Sequence, residues 1–210
     1  MIESLISFSI ATLALAISPG PDNIYVLTQS IINGSKSGIA TTAGLISGCI
    51  VHTTLLAFGV SAIITASESL FYGIKIVGAC YLLFLAYRVF KSDGSISVSS
   101  EDDDIENTSK KSYWQLFKIG VFMNLVNPKV MIFFLAFFPA FLWNPSENTV
   151  SQFYILGITF MVVSFFVFST ISLLAGSISS YILKHKSVGI WLKWLQIVVF
   201  LGIAVFIIIP

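Results

Sequence analysis

Six long apolar runs dominate the sequence and restrict it to a membrane-embedded fold. They cover approximately residues 5–32, 39–66, 70–90, 114–143, 153–182 and 190–209. Each run is long enough to cross the hydrocarbon core of a bilayer, which requires about 20 mostly apolar residues. Only 10% of the 210 residues are charged, whereas soluble domains usually carry about 25%. The sequence therefore excludes a water-soluble globular domain.

The apolar runs are predicted to be helices. β-Branched and aromatic residues fill them without the alternation of apolar and polar residues that a membrane β-barrel requires. The first run begins beside Glu3 and continues past Ser18 without a signal-peptidase site, so we expect it to persist as a helix. The predicted fold is an all-α integral membrane protein with six transmembrane helices.

A polar segment divides the chain into two halves. Residues 92–112 are rich in serine and acidic residues and nearly lack large apolar groups. This composition is typical of a hydrated spacer, which we favour over a regulatory or ion-binding tail. The predicted organisation is a first three-helix repeat at 1–91, a linker at 92–112 and a second three-helix repeat at 113–210. Three helices per half make the two repeats inverted with respect to the membrane, as in many secondary transporters.

Basic residues predict the orientation in the membrane. Most lysines and arginines lie in the connections after the first, third and fifth runs: Lys36, Arg88, Lys91, Lys110, Lys111, Lys118, Lys184, Lys186 and Lys193. Because basic loops stay in the cytoplasm, we expect a multi-pass protein of the cell (inner) membrane with the linker inside and both termini outside. If one overlong run were re-entrant, one terminus would change sides.

Proline motifs interrupt the first and fourth runs. The first contains SPGPDN at 18–23, and the fourth contains NLVNPK at 124–129. Proline lacks an amide hydrogen and clashes with the preceding turn, so each motif is predicted to break its helix and release backbone groups that lipid cannot satisfy. Ser18-Pro19 and Asn127-Pro128 each resemble a cap followed by a first helical residue. The alternative is a simple proline kink. The predicted break residues are Pro19, Gly20, Pro21 and Pro128.

Two charges lie deep in the broken runs. Lys129 is 15 residues after Trp114 and 14 before Trp143, or roughly 20 Å from either interface at 1.5 Å per residue. Asp22 is similarly deep. Because buried charges are costly in a bilayer, they usually mark a functional site. Two interpretations stay open: Asp22 is the structural partner of Lys129, or the carboxylate of a ligand binds Lys129 while its ammonium group binds Asp22.

The second run places a histidine inside the bundle. Ala40, Gly44, Gly48 and His52 recur every four residues and form a small-residue stripe that favours close helix packing. His52 is either a hydrogen-bonded structural residue or a participant in proton movement or ligand contact. The 19 phenylalanines are predicted to face lipid. The predicted substrate-binding residues are Asp22, Asn23, His52, Asn124, Asn127 and Lys129.

Four segments together carry a family resemblance. They are PGPDN at 19–23, GLISG at 44–48 followed by Val51-His52, KIVGACYLLFL at 75–85 with Arg88, and Gly120 through Asn124 to Asn127-Pro128-Lys129. In order and spacing they resemble the lysine exporter (LysE) family, homoserine/threonine resistance (RhtB) branch. The resemblance implies a small exporter that moves amino acids or close derivatives outward, driven by the proton gradient or the membrane potential. Similar sequences often have asparagine at the position of Asp22, so we expect no obligatory proton transfer by this residue.

The resulting prediction is an alternating-access amino-acid exporter without cofactor or metal. An ion or metal-cation exporter is the first alternative, and the buried Lys129 disfavours it. An intramembrane enzyme is the second, and it lacks a second carboxylate within the apolar runs. Metal-ligand spacings are absent around Cys49, Cys80 and both histidines, and a net charge of +1 disfavours nucleic acid. The lipid bilayer and a small-molecule substrate are the expected partners, and association of copies into a homo-oligomer stays open.

Overall fold

Helices form the described part of the protein. The computed structural model describes residues 1–18, 20–92, 111–177 and 187–208, and within these ranges it contains no β-strand. The helices are α1 (Ile2–Ile17), α2 (Pro21–Asn33), α3 (Ser35–Leu55), α4 (Ser61–Ala66), α5 (Glu68–Lys91), α6 (Tyr113–Val126), α7 (Pro128–Phe137), α8 (Thr149–Leu173) and α9 (Ser187–Ile208). A π-helical turn, Leu56–Val60, joins α3 to α4, and a 3-10 turn, Phe138–Phe141, follows α7. Residues 93–110 of the predicted linker and 178–182 of the fifth run lie outside the described residues.

Four helices are long and apolar enough to cross a membrane alone. They cover Ser35–Ile64, Ser69–Lys91, Thr149–Leu173 and Gly189–Ile208. Two further helix pairs qualify when each pair is taken together: α1 with α2, bent by 58°, and α6 with the segment Val130–Phe141, bent by 56°. The described chain thus has four to six candidate spans, and the predicted all-helical membrane fold is confirmed at this level.

The first bend differs in detail from the prediction. The Ser18 amide donates to the carbonyls of Ala14 and Leu15, both at 3.1 Å, so Ser18 closes α1. Helix α2 begins at Pro21, with Gly20 in extended conformation before it. The prediction that Ser18-Pro19 starts the second helix is therefore wrong, because Pro21 takes the first helical position and Gly20 precedes it as the cap. Pro19 lies outside the described residues.

The second bend occurs at Asn127. Helix α6 ends at Val126, the Asn127 amide donates to the Asn124 carbonyl at 3.2 Å, and α7 begins at Pro128. A proline suits the first helical position because amides there have no acceptor within the helix. The chain therefore turns within a single residue at this point.

Glycines bring α3 and α6 into direct backbone contact. A β-carbon on Gly44 would collide with the Phe117 carbonyl, and one on Gly120 would collide with the Thr41 carbonyl. A third glycine of α3, Gly48, lies against the Asn124 side chain. Small residues allow this close approach, which is common between membrane helices. The α3–α6 interface fixes the second bend against α3.

Phenylalanines form the core of the bundle beside these bends. Phe8 contacts three other rings, with centroids 5.0 Å from Phe138 and 5.2 Å from Phe137 and Phe141. The rings of Phe8, Phe134, Phe137, Phe138 and Phe153 are at most 1% exposed. The prediction that phenylalanines face lipid is wrong for this cluster, because residues 133–141 place five rings on one face of α7 and its 3-10 turn. Stacked and edge-to-face pairs fill the space between helices.

Candidate functional site

A cavity lies where the two bends meet. The ends of α1, α2, α6 and α7 surround it, and α3 and α8 complete its walls. Its volume is about 60 Å³, counted as the space that the centre of a water molecule can occupy. On this measure a single water requires roughly 10–15 Å³. The site can therefore hold several waters or part of a small solute.

Asp22 and Asn127 connect the two bends. The Asn127 side-chain amide donates to the Asp22 carboxylate, at 3.2 Å from one oxygen and 3.5 Å from the other. Asp22 is in the first turn of α2, and Asn127 directly precedes α7. These residues are 105 positions apart in the sequence, so the contact joins two distant motifs at one place.

Asn23 ties the start of α2 to the end of α1. Its side-chain amide donates to the Ala16 carbonyl at 2.7 Å. This carbonyl belongs to the last turn of α1, where backbone oxygens lack partners within the helix. Ser18, in the same bend, is fully buried, and its hydroxyl has no hydrogen-bond partner among the described residues. The first bend thus contains a hydrogen-bonded polar side chain, Asn23, and a hydroxyl, on Ser18, that has no partner among the described residues.

Asn124 is the polar centre of the second bend. It is 4% exposed, and its side-chain nitrogen donates to the Cys49 sulfur at 3.5 Å. Its side-chain oxygen has no partner in the described ranges. An acceptor that is buried without a donor costs free energy. Asn124 therefore borders the cavity, while its side-chain oxygen, packed against Gly48, lacks a hydrogen-bond donor.

His52 lies behind Asn124 rather than in the cavity wall. It is 5% exposed, its Nε2 is 3.2 Å from the Asn124 carbonyl oxygen, and its ring centroid is 5.5 Å from that of Phe134. Because a carbonyl only accepts, the contact requires the hydrogen on Nε2. His52 thus holds one of the last carbonyls of α6 in place.

Both positive and negative ends of helix dipoles surround the cavity. Helices α2 and α7 begin there, and helices α1 and α6 end there. The amide end of a helix attracts anions, and the carbonyl end attracts cations. The arrangement can therefore bind a carboxylate and an ammonium group within one small space.

Comparison with known proteins places the chain in a family. The family described as "LysE type translocator" matches residues 13–210. The chain belongs to this LysE-type translocator family. Two homoserine/homoserine lactone efflux proteins, from Salmonella typhimurium strain LT2 and Salmonella typhi, are each 31% identical to it over 180 residues. Each alignment covers 86% of this chain and 84% of the relative. No solved structure gives a significant match.

The fold brings most of the sequence-predicted residues together around the cavity. The cavity wall includes Gly20, Pro21, Asp22, Asn23, Asn124 and Asn127. His52 reaches this group through the Asn124 carbonyl, and Pro128 begins α7 without contributing to the wall. Lys129 is the second residue of α7, and its side chain lies outside the described part of the structure.

Sequence reasoning missed part of the cavity wall in this translocator. Cys49 of α3 and Ser164 of α8 line the cavity, as do the rings of Phe133, Phe160 and Phe168. The available signal was a single small polar residue within a long apolar run, but several serines fit that description. In the described residues, no three histidine, cysteine, aspartate or glutamate side chains are grouped to hold a metal ion.

Proposed function

We propose that the cavity between the two bends binds the substrate of this translocator. The protein is a membrane exporter of amino acids or close derivatives, as its family and its two efflux relatives support. The relatives' names make homoserine and homoserine lactone the first compounds to test. The proposal depends on the hydrogen bond from Asn127 to Asp22, because it brings two interrupted helices together beside a cavity.

The substrate binds as a zwitterion in this proposal. Its carboxylate occupies the amide end of α7, where the charge of Lys129 adds to the attraction. Its ammonium group binds near Asp22, Asn23 and the carbonyl ends of α1 and α6. Asn124 and Asn127 add polar contacts, and His52 acts through the carbonyl of Asn124. The deep position of Lys129 in the fourth run supports this assignment, because a buried cation requires an anion nearby.

The transport cycle follows from treating each bent pair as one broken span. The chain then has six spans in two inverted repeats, 1–91 and 113–210, joined by the linker 92–112. Several helix contacts support this symmetry. In it α1 corresponds to α6, α3 to α8 and α5 to α9, so the contact of α1 with α8 corresponds to the contact of α6 with α3. The corresponding helices α3 and α8 also contact each other, as do α5 and α9. Rocking of one repeat against the other would expose the cavity alternately to each side. The proposed driving force is the proton gradient or the membrane potential, with the linker cytoplasmic and both termini outside.

The test is efflux of labelled homoserine from preloaded cells. Lys129→Ala is expected to reduce efflux to the level of cells without the protein, because the substrate carboxylate loses its cation. Lys118→Ala is the matched control, since Lys118 is an exposed lysine of α6, beside the Trp114 ring at 5.4 Å, and should leave efflux unchanged. Membrane fractions establish equal amounts of each variant. Unaltered efflux in Lys129→Ala would remove this residue from the proposed site.

A further inference from the structure

We propose that the wall of the cavity formed by α8 binds the side chain of the substrate, and that Ser164 recognises a hydroxyl group there. This inference rests on the proposed function, because it assigns one part of an amino-acid site. Phe160, Ser164 and Phe168 follow one another at intervals of four residues and all line the cavity. At 1.5 Å per residue, each ring is about 6 Å along the helix from the serine. The hydroxyl is thus the polar centre of an apolar strip.

The α8 wall suits an uncharged group better than either end of a zwitterion. Helix α8 is continuous over Thr149–Leu173 and contains no charged residue. Its backbone amides and carbonyls along the cavity are bonded within the helix, so they are not available to a carboxylate or an ammonium group. Those groups find helix termini and Asp22 elsewhere in the cavity wall. The part of the substrate left to face α8 is its side chain.

Ser164 has an unused hydroxyl in this wall. It is 2% exposed, and its oxygen has no hydrogen-bond partner in the described portion of the chain. Thr159 and Thr170 of the same helix behave differently, since each donates at 2.8 Å to the carbonyl four residues earlier. A buried hydroxyl without a partner is unfavourable. Ser164 can therefore donate to a ligand oxygen, accept from a ligand hydrogen, or do both.

Asn124 borders the same cavity from α6, with its side-chain oxygen packed against Gly48. Its side-chain nitrogen is engaged with Cys49, which leaves its side-chain oxygen as an acceptor without a donor. A substrate hydroxyl beside α8 can hydrogen-bond with Ser164, whereas a methyl group in the same place leaves the serine hydroxyl without a partner. Sites built from such groups discriminate strongly against analogues that lack the hydrogen-bonding atom. The cavity is thus expected to distinguish a hydroxyl from a methyl group of similar size.

Competition in everted membrane vesicles tests this assignment. Vesicles that contain the full chain accumulate labelled homoserine, and unlabelled homoserine or norvaline is added. Norvaline has a methyl group where homoserine has its hydroxyl. We expect the unaltered protein to prefer homoserine by about tenfold, the effect of losing one buried hydrogen bond. Ser164→Ala should reduce this preference to about twofold or less, with norvaline competing at least as well as before.

Ser169→Ala is the matched control. Ser169 belongs to the same helix and its hydroxyl also lacks a partner within the described ranges, but it does not line the cavity. Its replacement should leave the tenfold preference intact. Ser164→Cys, which keeps the side-chain size, serves as a second variant and should also lower the preference. An unchanged preference in both Ser164 variants overturns the inference while leaving the exporter proposal in place. If vesicles with the unaltered protein accumulate no labelled homoserine, both this inference and the proposed homoserine site are overturned.

Discussion

Asp22 has a structural contact and a charge, and these can be separated by mutation. Its carboxylate accepts a hydrogen bond from Asn127 at 3.2 Å, and an asparagine at this position could still accept it. Hydrogen bonds to charged groups are stronger than neutral ones by about 1 kcal/mol, so Asp22→Asn should slow homoserine efflux by roughly fivefold. The measurement is the initial efflux rate at equal protein level. Complete loss of efflux would instead show that the charge of Asp22 is obligatory, for proton transfer or for binding the ammonium group.

His52 is expected to act by positioning the second bend. His52→Leu removes the donor to the Asn124 carbonyl, which should lower stability by about 1 kcal/mol. The carbonyl keeps its bond from the Asn127 amide, so the protein should still fold. His52→Gln retains a donor and should recover most of the loss. Thermal unfolding in detergent, with efflux between pH 6 and 8, provides the measurement. If both variants alter the pH dependence of efflux without changing stability, His52 moves protons instead.

At the scale of helices, the contact of α3 with α6 sets the geometry of the second bend. A β-carbon on Gly48 would be 2.5 Å from the Asn124 side-chain oxygen and 2.8 Å from its β-carbon. Gly48→Ala therefore requires α3 to shift or Asn124 to rotate, at a cost of roughly 1–3 kcal/mol. We expect reduced efflux together with a lower unfolding temperature.

Gly73→Ala is the control for this prediction. A β-carbon on Gly73, in the second turn of α5, would meet nothing within 4 Å. Because alanine is the better helix former, this variant should have normal efflux and equal or higher stability. Equal behaviour of the Gly48 and Gly73 variants would contradict the role of α3 in holding Asn124.

Helices and bends were predictable from the sequence to different degrees. Apolar runs and prolines indicate where helices form and where they break, because both effects are local. The buried phenylalanine cluster was not predictable, since lipid and a neighbouring helix are both apolar surroundings. Local sequence also could not choose between Pro19 and Pro21 as a helix start. Likewise, Ser164 and Ser169 are both single serines in one apolar run, and only the packing of α8 shows which one lines the cavity.

At the scale of the whole molecule, the two halves differ in what surrounds the helix that follows each bend. Helix α2, after the first bend, packs on α3, whereas α7, after the second bend, packs on α5. The phenylalanine cluster fills the space around α7, whereas α2 itself buries the polar residues Gln29 and Ser30. Under alternating access, separation of the helices around α2 would expose polar groups, and separation around α7 would expose aromatic rings. The free-energy cost of exposing these two sets of groups to water therefore differs. It is higher for the aromatic rings, which favours the state in which the helices around α7 stay together.

The proposed topology makes a labelling prediction for the whole chain. Ser35 follows α2, and Ser146 lies in the exposed turn before α8. With six spans, a cysteine at 146 should react with an impermeant thiol reagent on intact cells, and a cysteine at 35 only after permeabilisation. Replacing the exposed Cys80 by serine removes the competing thiol, and Cys49 is buried. The reverse labelling pattern would show that the protein has the opposite orientation in the membrane. Protection of both sites would show that α6 and α7 form a re-entrant loop, because residue 146 would then return to the cytoplasmic side.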